Sequence, residues 1–360
     1  ANGVIIITTK KGKKGEEARV TYDGYYTTSQ FTGKPNVLNA EEFRNVVTFV
    51  APNRLEKLGT ANTNWFDEIT QNAGGHSHTL SFSNGSQNAG FRASLGYQQL
   101  DGVMRSSSLD RTSVSINYNQ AMFHNRLNIN MNAKGALTRN QFDPGQIGAA
   151  WTFDPTQPVY DPGNTDFAGF FEYGITGTPR NPVSAYKQID NKGRAFRNIG
   201  NIEAEYSFLE WVPGLSAKIN LGYDATNGEQ QIFQPTTYQK KTLGGRGDGN
   251  IRSESFSRIN PLLEYYMNYK KNFGENHRID VTGGYSYQDF IEKYQGYDAF
   301  DLTNNNLGVN GAGQALNSIP FFSEVHNRLI SFFGRANYSY KDRYLLTATV
   351  RRDGSTRFGP

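Results

Sequence analysis

The feature that most constrains this chain is a polarity period of two, recurring segment after segment between connections that are alternately short and long. In Leu127-Asn128-Ile129-Asn130-Met131-Asn132-Ala133-Lys134 the odd positions are apolar and the even ones polar, so an extended segment has one apolar face and one wet face. Val114, Ile116 and Tyr118 alternate in the same way with Ser113, Ser115, Asn117 and Asn119. So do Ala217, Ile219, Leu221 and Tyr223 with Lys218, Asn220 and Asp224, and Leu346, Ala348 and Val350 with Thr347, Thr349 and Arg351. Short connections fall at 84–86, 123–126, 211–214, 273–276 and 340–343; long excursions lie near 30–77, 140–198, 225–251 and 291–325, with a briefer one near 101–110. A soluble sandwich also alternates, but its connections are uniformly short and its inner face carries larger aliphatics. Short turns at one end and long loops at the other describe an all-β, transmembrane antiparallel β-barrel with periplasmic turns and extracellular loops.

The pattern predicts about eleven consecutive antiparallel strands, at 18–29, 78–83, 90–98, 111–120, 127–138, 201–208, 215–224, 253–269, 279–290, 328–340 and 344–352. They make about half a barrel, with open edges near Val20 and Ala348. On the fifth strand Asn128, Asn130, Asn132 and Lys134 are expected to face the lumen, with Leu127, Ile129 and Met131 outward. Asn39 is placed to cap a helix beginning at Ala40-Glu41-Glu42 in the first long loop.

Composition agrees once the period is known. Mean hydropathy is −0.64 and the longest aliphatic run is Val4-Ile5-Ile6-Ile7, far short of the roughly 18 apolar residues of a spanning helix. A barrel strand shows only every second residue to lipid, so polar averages and membrane spanning are compatible. The 21 Tyr and 24 Phe supply girdle residues, with Tyr22, Tyr26, Tyr118, Tyr223, Tyr338 and Tyr340 near strand ends. The absence of Cys excludes thiol chemistry and suits export without a disulfide framework. The net charge of +4 comes from scattered Lys and Arg, which reads as solvated surface and not as a nucleic-acid site. With neither an initiator Met nor a signal peptide at its start, the sequence is expected to be a piece of a longer protein.

Motifs for catalysis or metal binding are weak. His76-Ser77-His78 lacks further ligands, and Asp161-Pro162-Gly163-Asn164-Thr165-Asp166 lacks the closing Glu of a calcium loop, so no metal is expected. Gly244-Gly245-Arg246-Gly247-Asp248-Gly249 does not sit between a strand and a helix, so it is a loop tip and not a phosphate cradle. No Ser/His/Asp arrangement is ordered, and neither cofactor nor enzymatic activity is expected. Aromatics are the remaining signal. Trp151, Phe153, Tyr160, Phe167, Phe170, Phe171 and Tyr173 crowd one external loop, and Tyr294, Tyr297 and Phe300 open another. Rigid rings of this kind contact a partner or cargo, pack a loop on itself, or line the membrane interface.

The two ends of the sequence carry a family resemblance. Ala1-Asn2-Gly3-Val4-Ile5-Ile6-Ile7-Thr8-Thr9-Lys10-Lys11-Gly12 resembles the last plug-domain strand of the SusC/RagA-like branch of TonB-dependent outer-membrane transporters. Phe332-Phe333-Gly334-Arg335-Ala336-Asn337-Tyr338-Ser339-Tyr340, leading into Arg351-Arg352-Asp353-Gly354-Ser355, is similar to the same family, as are Asn62-Thr63-Asn64-Trp65-Phe66-Asp67-Glu68-Ile69 and the stretch 214–224. The resemblance implies that residues 1–15 end a plug domain and that 16–360 form the N-terminal half of the barrel. It further implies the bacterial outer membrane, energy coupling to TonB through regions outside this sequence, a SusD-like surface lipoprotein as lid, and oligosaccharide or peptide cargo. A passive porin or adhesin barrel and a barrel enzyme are the alternatives; the plug-like first twelve residues speak against the former, the lack of a catalytic constellation against the latter.

Overall fold

The computed structural model describes residues 10–33 and 36–358. They form one eleven-stranded antiparallel sheet in strict chain order. The strands are β1 (Arg19–Ser29), β2 (Ala73–Gly85), β3 (Ala89–Asp101), β4 (Ser108–Met122), β5 (Leu127–Gln141), β6 (Asp190–Ser207), β7 (Leu215–Gln234), β8 (Asn250–Phe273), β9 (His277–Phe300), β10 (Asn317–Tyr340) and β11 (Tyr344–Ser355). Every expected strand is present, and β1 and β11 are the edges.

The largest departures of strand ends from the alternation share one direction. β6 starts at Asp190 where the pattern gives 201, and β9 runs to Phe300 where it gives 290. The extensions of five residues or more, at the starts of β2, β6 and β10 and the ends of β7 and β9, all lie toward the long loops. There both faces meet water, so the hydrogen-bond ladder continues while the apolar–polar contrast that reveals a strand has gone.

Cross-strand register shows two chemically distinct faces. Asn119, Asn130, Glu203, Asn220, Glu264, Ser286, Ser331 and Asp353 are successive partners across eight strands, and none is apolar. One residue away, on the opposite face, the partners are Tyr118, Met131, Ile202, Leu221, Leu263, Tyr287, Ile330 and Gly354. The polar row is bonded laterally: Asn130 Nδ2 donates to Glu203 Oε1 at 3.3 Å, Asn220 Nδ2 to Glu264 Oε2 at 2.9 Å, and Lys218 Nζ lies 2.7 Å from Glu203. The apolar row has no partner layer, with Leu95 56% and Leu221 52% exposed. A soluble protein would have to cover such a band; a lipid-facing sheet leaves it bare.

Short turns close one end. At Tyr340-Lys341-Asp342-Arg343 both central residues have positive φ, 53° and 50°, and Arg343 N donates to Tyr340 O at 3.0 Å, the primed turn that matches strand twist. At this end the lead-in to β1 lies on the polar face, where Asn119 Nδ2 donates to Gly12 O at 2.8 Å. Lys11 lines a cavity of about 500 Å³ there with Asn132, Lys134 and Asn220. The plug-like string falls mostly on residues 1–9, outside the described residues.

Candidate functional site

The long loops carry the chain's compact packing. Among the described residues four α-helices lie in them: α1 (Ala40–Val50), α2 (Trp65–Ile69), α3 (Ile147–Thr152) and α4 (Pro182–Gln188). Asn39 caps α1 as its sequence implies: Oδ1 accepts from Glu41 N and Glu42 N at 3.0 Å each, and Glu42 returns the bond to Asn39 N at 2.9 Å. The other three helices close over one apolar cluster of Trp65, Ile69, Met104, Phe153, Phe170 and Val183, so the loops before β2 and β6 form a single packed unit.

Polar hubs hold this unit together. Asp154 Oδ2 accepts from Tyr173 OH at 2.9 Å, and the backbone carbonyl of Asp154 accepts from the Trp65 indole at 2.9 Å. Burial and the Asp154 carboxylate raise the Tyr173 phenol, which stays protonated and donates. Asn181 is fully buried; its Nδ2 donates to the Val159 and Phe171 carbonyls at 2.9 and 3.1 Å, and its Oδ1 caps α4 by accepting from Val183 N and Ser184 N. Beside it Arg180 Nε stands 3.1 Å from the buried Glu172 carboxylate, off the line of a hydrogen bond, while Arg180 Nη2 donates to Tyr238 O at 2.6 Å. Burial raises the Glu172 carboxyl above its ordinary value, and the attraction of Arg180 offsets only part of that.

The aromatic candidates separate within this frame. Phe153 and Phe170 are buried in the apolar cluster, with Phe171 and Tyr173 packed against it through ring centroids 6.3 and 5.7 Å from Phe153. Trp151 and Tyr160 remain on the surface, 52% and 55% exposed. Trp151 borders a cleft of about 450 Å³ with Asn36, Asn62 and Phe43. Tyr294 lies on the polar face opposite Phe256, whereas Tyr297 is on the other face against Ile251 and Ala299. The two tyrosines therefore do not share a surface. Elsewhere His78 Nδ1 bonds Tyr22 OH at 2.6 Å, and the Asp161 run is a turn in which Asn164 N donates to Asp161 O at 2.9 Å. Among the described residues no group of three or more metal-ligating side chains converges.

No family model matches the chain. It is 32% identical over 99% of its length to the TonB-dependent receptor SusC of Bacteroides thetaiotaomicron, covering 37% of that protein. The chain is thus similar to a SusC-like TonB-dependent receptor over nearly its whole length. It is also 31% identical, over 99% of its length, to TonB-dependent receptor P3 of Formosa agariphila, covering 36% of it. The chain thus spans little more than a third of the curated relatives it matches. Among solved structures the RagAB peptide transporter superposes with a TM-score of 0.78 at 20% identity, over 98% of this chain and 44% of that one. The unliganded ferric citrate transporter FecA gives 0.52 at 11% identity, over 80% of this chain and 36% of that one. At such identities the superpositions speak to fold alone: the eleven strands are arranged as in those barrels. These relatives are receptors and transporters, not enzymes.

Proposed function

We propose that this chain is part of the wall of an active importer in the bacterial outer membrane, driven by TonB and carrying oligosaccharides or peptides too large for passive pores. The observation that carries the reading is the two-faced sheet matched from end to end by SusC. An apolar row bare enough for lipid and a polar row on the other face are what a transport lumen needs. In this reading residues 1–15 end the plug domain and 16–360 are the N-terminal half of the barrel; the bond from Asn119 to Gly12 on the polar face supports the former. The packed loop unit faces outward beneath a SusD-like lipoprotein, with Trp151, Phe153, Tyr160, Phe170, Phe171, Tyr173, Tyr294 and Tyr297 as the candidate contact residues. The exposed Trp151 and Tyr160 touch lid or cargo directly, and the buried Phe153 and Phe170 hold the surface that presents them.

The test is deletion of the full-length receptor gene, with growth on single glycans and peptides measured with and without a functional TonB complex, and recovery of a surface lipoprotein with the tagged receptor. A nutrient whose use needs both receptor and TonB is the expected result. Growth that ignores TonB would sink the importer in favour of a passive barrel.

A further inference from the structure

On the polar face, where β8 and β9 rise beyond the lower polar row, three guanidinium groups are laid over aromatic rings. Arg252 Cζ is 4.8 Å from the Phe321 centroid, Arg258 Cζ is 5.3 Å from Phe256 and 5.5 Å from Tyr294, and Arg246 Cζ is 5.8 Å from Phe300. Register and the period of two put Arg252, Phe256, Arg258, Tyr294 and Phe321 on the same side as Asn130 and Glu264. Glycines set the rings down on the sheet. A Cβ at Gly296 would meet the Phe321 ring at 2.7 Å, and one at Gly228 would collide with Phe256.

Three carboxylates accompany the three cations. Glu254 lies 3.0 Å from Arg252 Nε, Asp298 3.4 Å from Arg246 and 3.5 Å from Arg252, and Glu292 3.6 Å from Arg258. Formal charge cancels, so the patch has no net pull on a polyanion. Each guanidinium keeps N–H donors beyond those its carboxylate uses, and each carboxylate keeps lone pairs. The side chains of Arg252 and Arg258 are 42% and 45% exposed, so these groups are open to a ligand.

We infer that this Arg–aromatic wall on β8–β10 is a cargo-selecting surface for an uncharged, polyhydroxylated chain, a neutral oligosaccharide; the inference rests on the import reading above. Adjacent donors and acceptors match vicinal hydroxyls, which both donate and accept. Flat stacked groups match the faces of sugar rings. A peptide read along a sheet needs pockets for alternate side chains, and the Phe256 and Phe321 rings fill the space over Gly228 and Gly296 and leave none at those positions.

The experiment is calorimetric titration of the purified full-length receptor with cello-, malto-, xylo- and mannohexaose, with hexagalacturonate, and with a charged decapeptide. Wild type is expected to bind at least one neutral hexasaccharide ten-fold or more tighter than hexagalacturonate or the peptide. Arg252→Gln with Arg258→Gln should weaken that binding about ten-fold or more while leaving the heat-modifiable barrel intact. Glu292→Gln, which tips the patch to net positive, should narrow the gap to hexagalacturonate. If the double variant fails to assemble, Arg258→Lys, which keeps the charge and loses the planar fork, is expected to weaken neutral binding alone. Equal or tighter binding of hexagalacturonate or peptide, no binding of any neutral hexasaccharide, or unchanged affinity in the variants overturns the inference. Growth of those variants separates the two readings: TonB-dependent growth with an inert wall refutes the wall alone, whereas growth independent of TonB refutes import.

Discussion

Replacing Asn181 with Ala tests whether the external loops are a folded unit separate from the barrel. Asn181 is fully buried and its side chain makes four hydrogen bonds, two donated to carbonyls and two accepted at the start of α4. Losing the cap costs about 1 kcal/mol, and stranding two carbonyls where water cannot reach costs about 1–3 kcal/mol each, so the total is about 3–7 kcal/mol. That is enough to open a loop unit whose apolar cluster rests on seven buried side chains, and it touches no strand hydrogen bond. In the full-length receptor, limited proteolysis should cut within 142–189 far faster in Asn181→Ala than in wild type, with the heat-modifiable barrel band unchanged. Asn181→Ser, which restores the cap oxygen but not the two donors, should recover about 1 kcal/mol of that loss. Unchanged protection in Asn181→Ala, or loss of the barrel band along with the loop, would refute the idea of a separately stabilised unit.

Other substitutions probe the faces and the loop surface. Ile129→Arg should hinder barrel assembly by about 2–4 kcal/mol near the midplane, and Asn130→Leu by less; the reverse order in a folding titration would mean that the faces are assigned backwards. Because burial raises the Glu172 carboxyl, the folded loop holds its proton more tightly than the open loop. The group's contribution to loop stability is therefore fullest below its ordinary value near 4.5 and is lost as pH rises through the raised value. Hydrogen exchange in 142–189 should accordingly quicken over that rise in wild type and change less in Glu172→Gln. Trp151→Ala with Tyr160→Ala should leave loop protection intact and weaken recovery of the lid lipoprotein or uptake; full retention of both would remove these rings from the mechanism.

The strands were legible because a lipid-facing sheet is written in alternation, and they blurred where that requirement stops. The residues of β6 from Asp190 to Gly200 carry ladder bonds without a polarity contrast, so nothing in their order marks a strand. The packing of the loop unit was hidden for a different reason. Trp65, Met104, Phe153 and Val183 meet from four separate stretches, and no period links them. One local cue was available: Asn181-Pro182 is a cap residue followed by proline at the first helical position, and α4 begins there. The opposition of Tyr294 and Tyr297 was also readable, since positions three apart on a strand face opposite ways. The Arg–aromatic wall was not, because Arg252 and Phe321 belong to strands separated by a third.

The two edges make the last prediction. β1 and β11 are each paired on one side only, and along the eleven residues of β1 about half of the backbone N–H and C=O groups point away from β2. Left in hydrocarbon at several kcal/mol each, some ten such groups would cost tens of kcal/mol, more than a domain's whole net stability of about 5–15 kcal/mol. The outward residues at these edges are nonetheless lipid-like, with Val20 67% and Val350 72% exposed. Apolar side chains therefore call for membrane while the bare backbone forbids it, and the conflict is resolved only when further strands pair with β1 and β11. Residues 1–360 expressed alone with an export signal should accordingly fail to give a monomeric heat-modifiable species, whereas a heat-modifiable species should form when the remainder of the receptor is supplied as a second chain. A monomeric, heat-modifiable product from the segment alone would show that its edges can be satisfied without partner strands, and would remove the half-barrel reading.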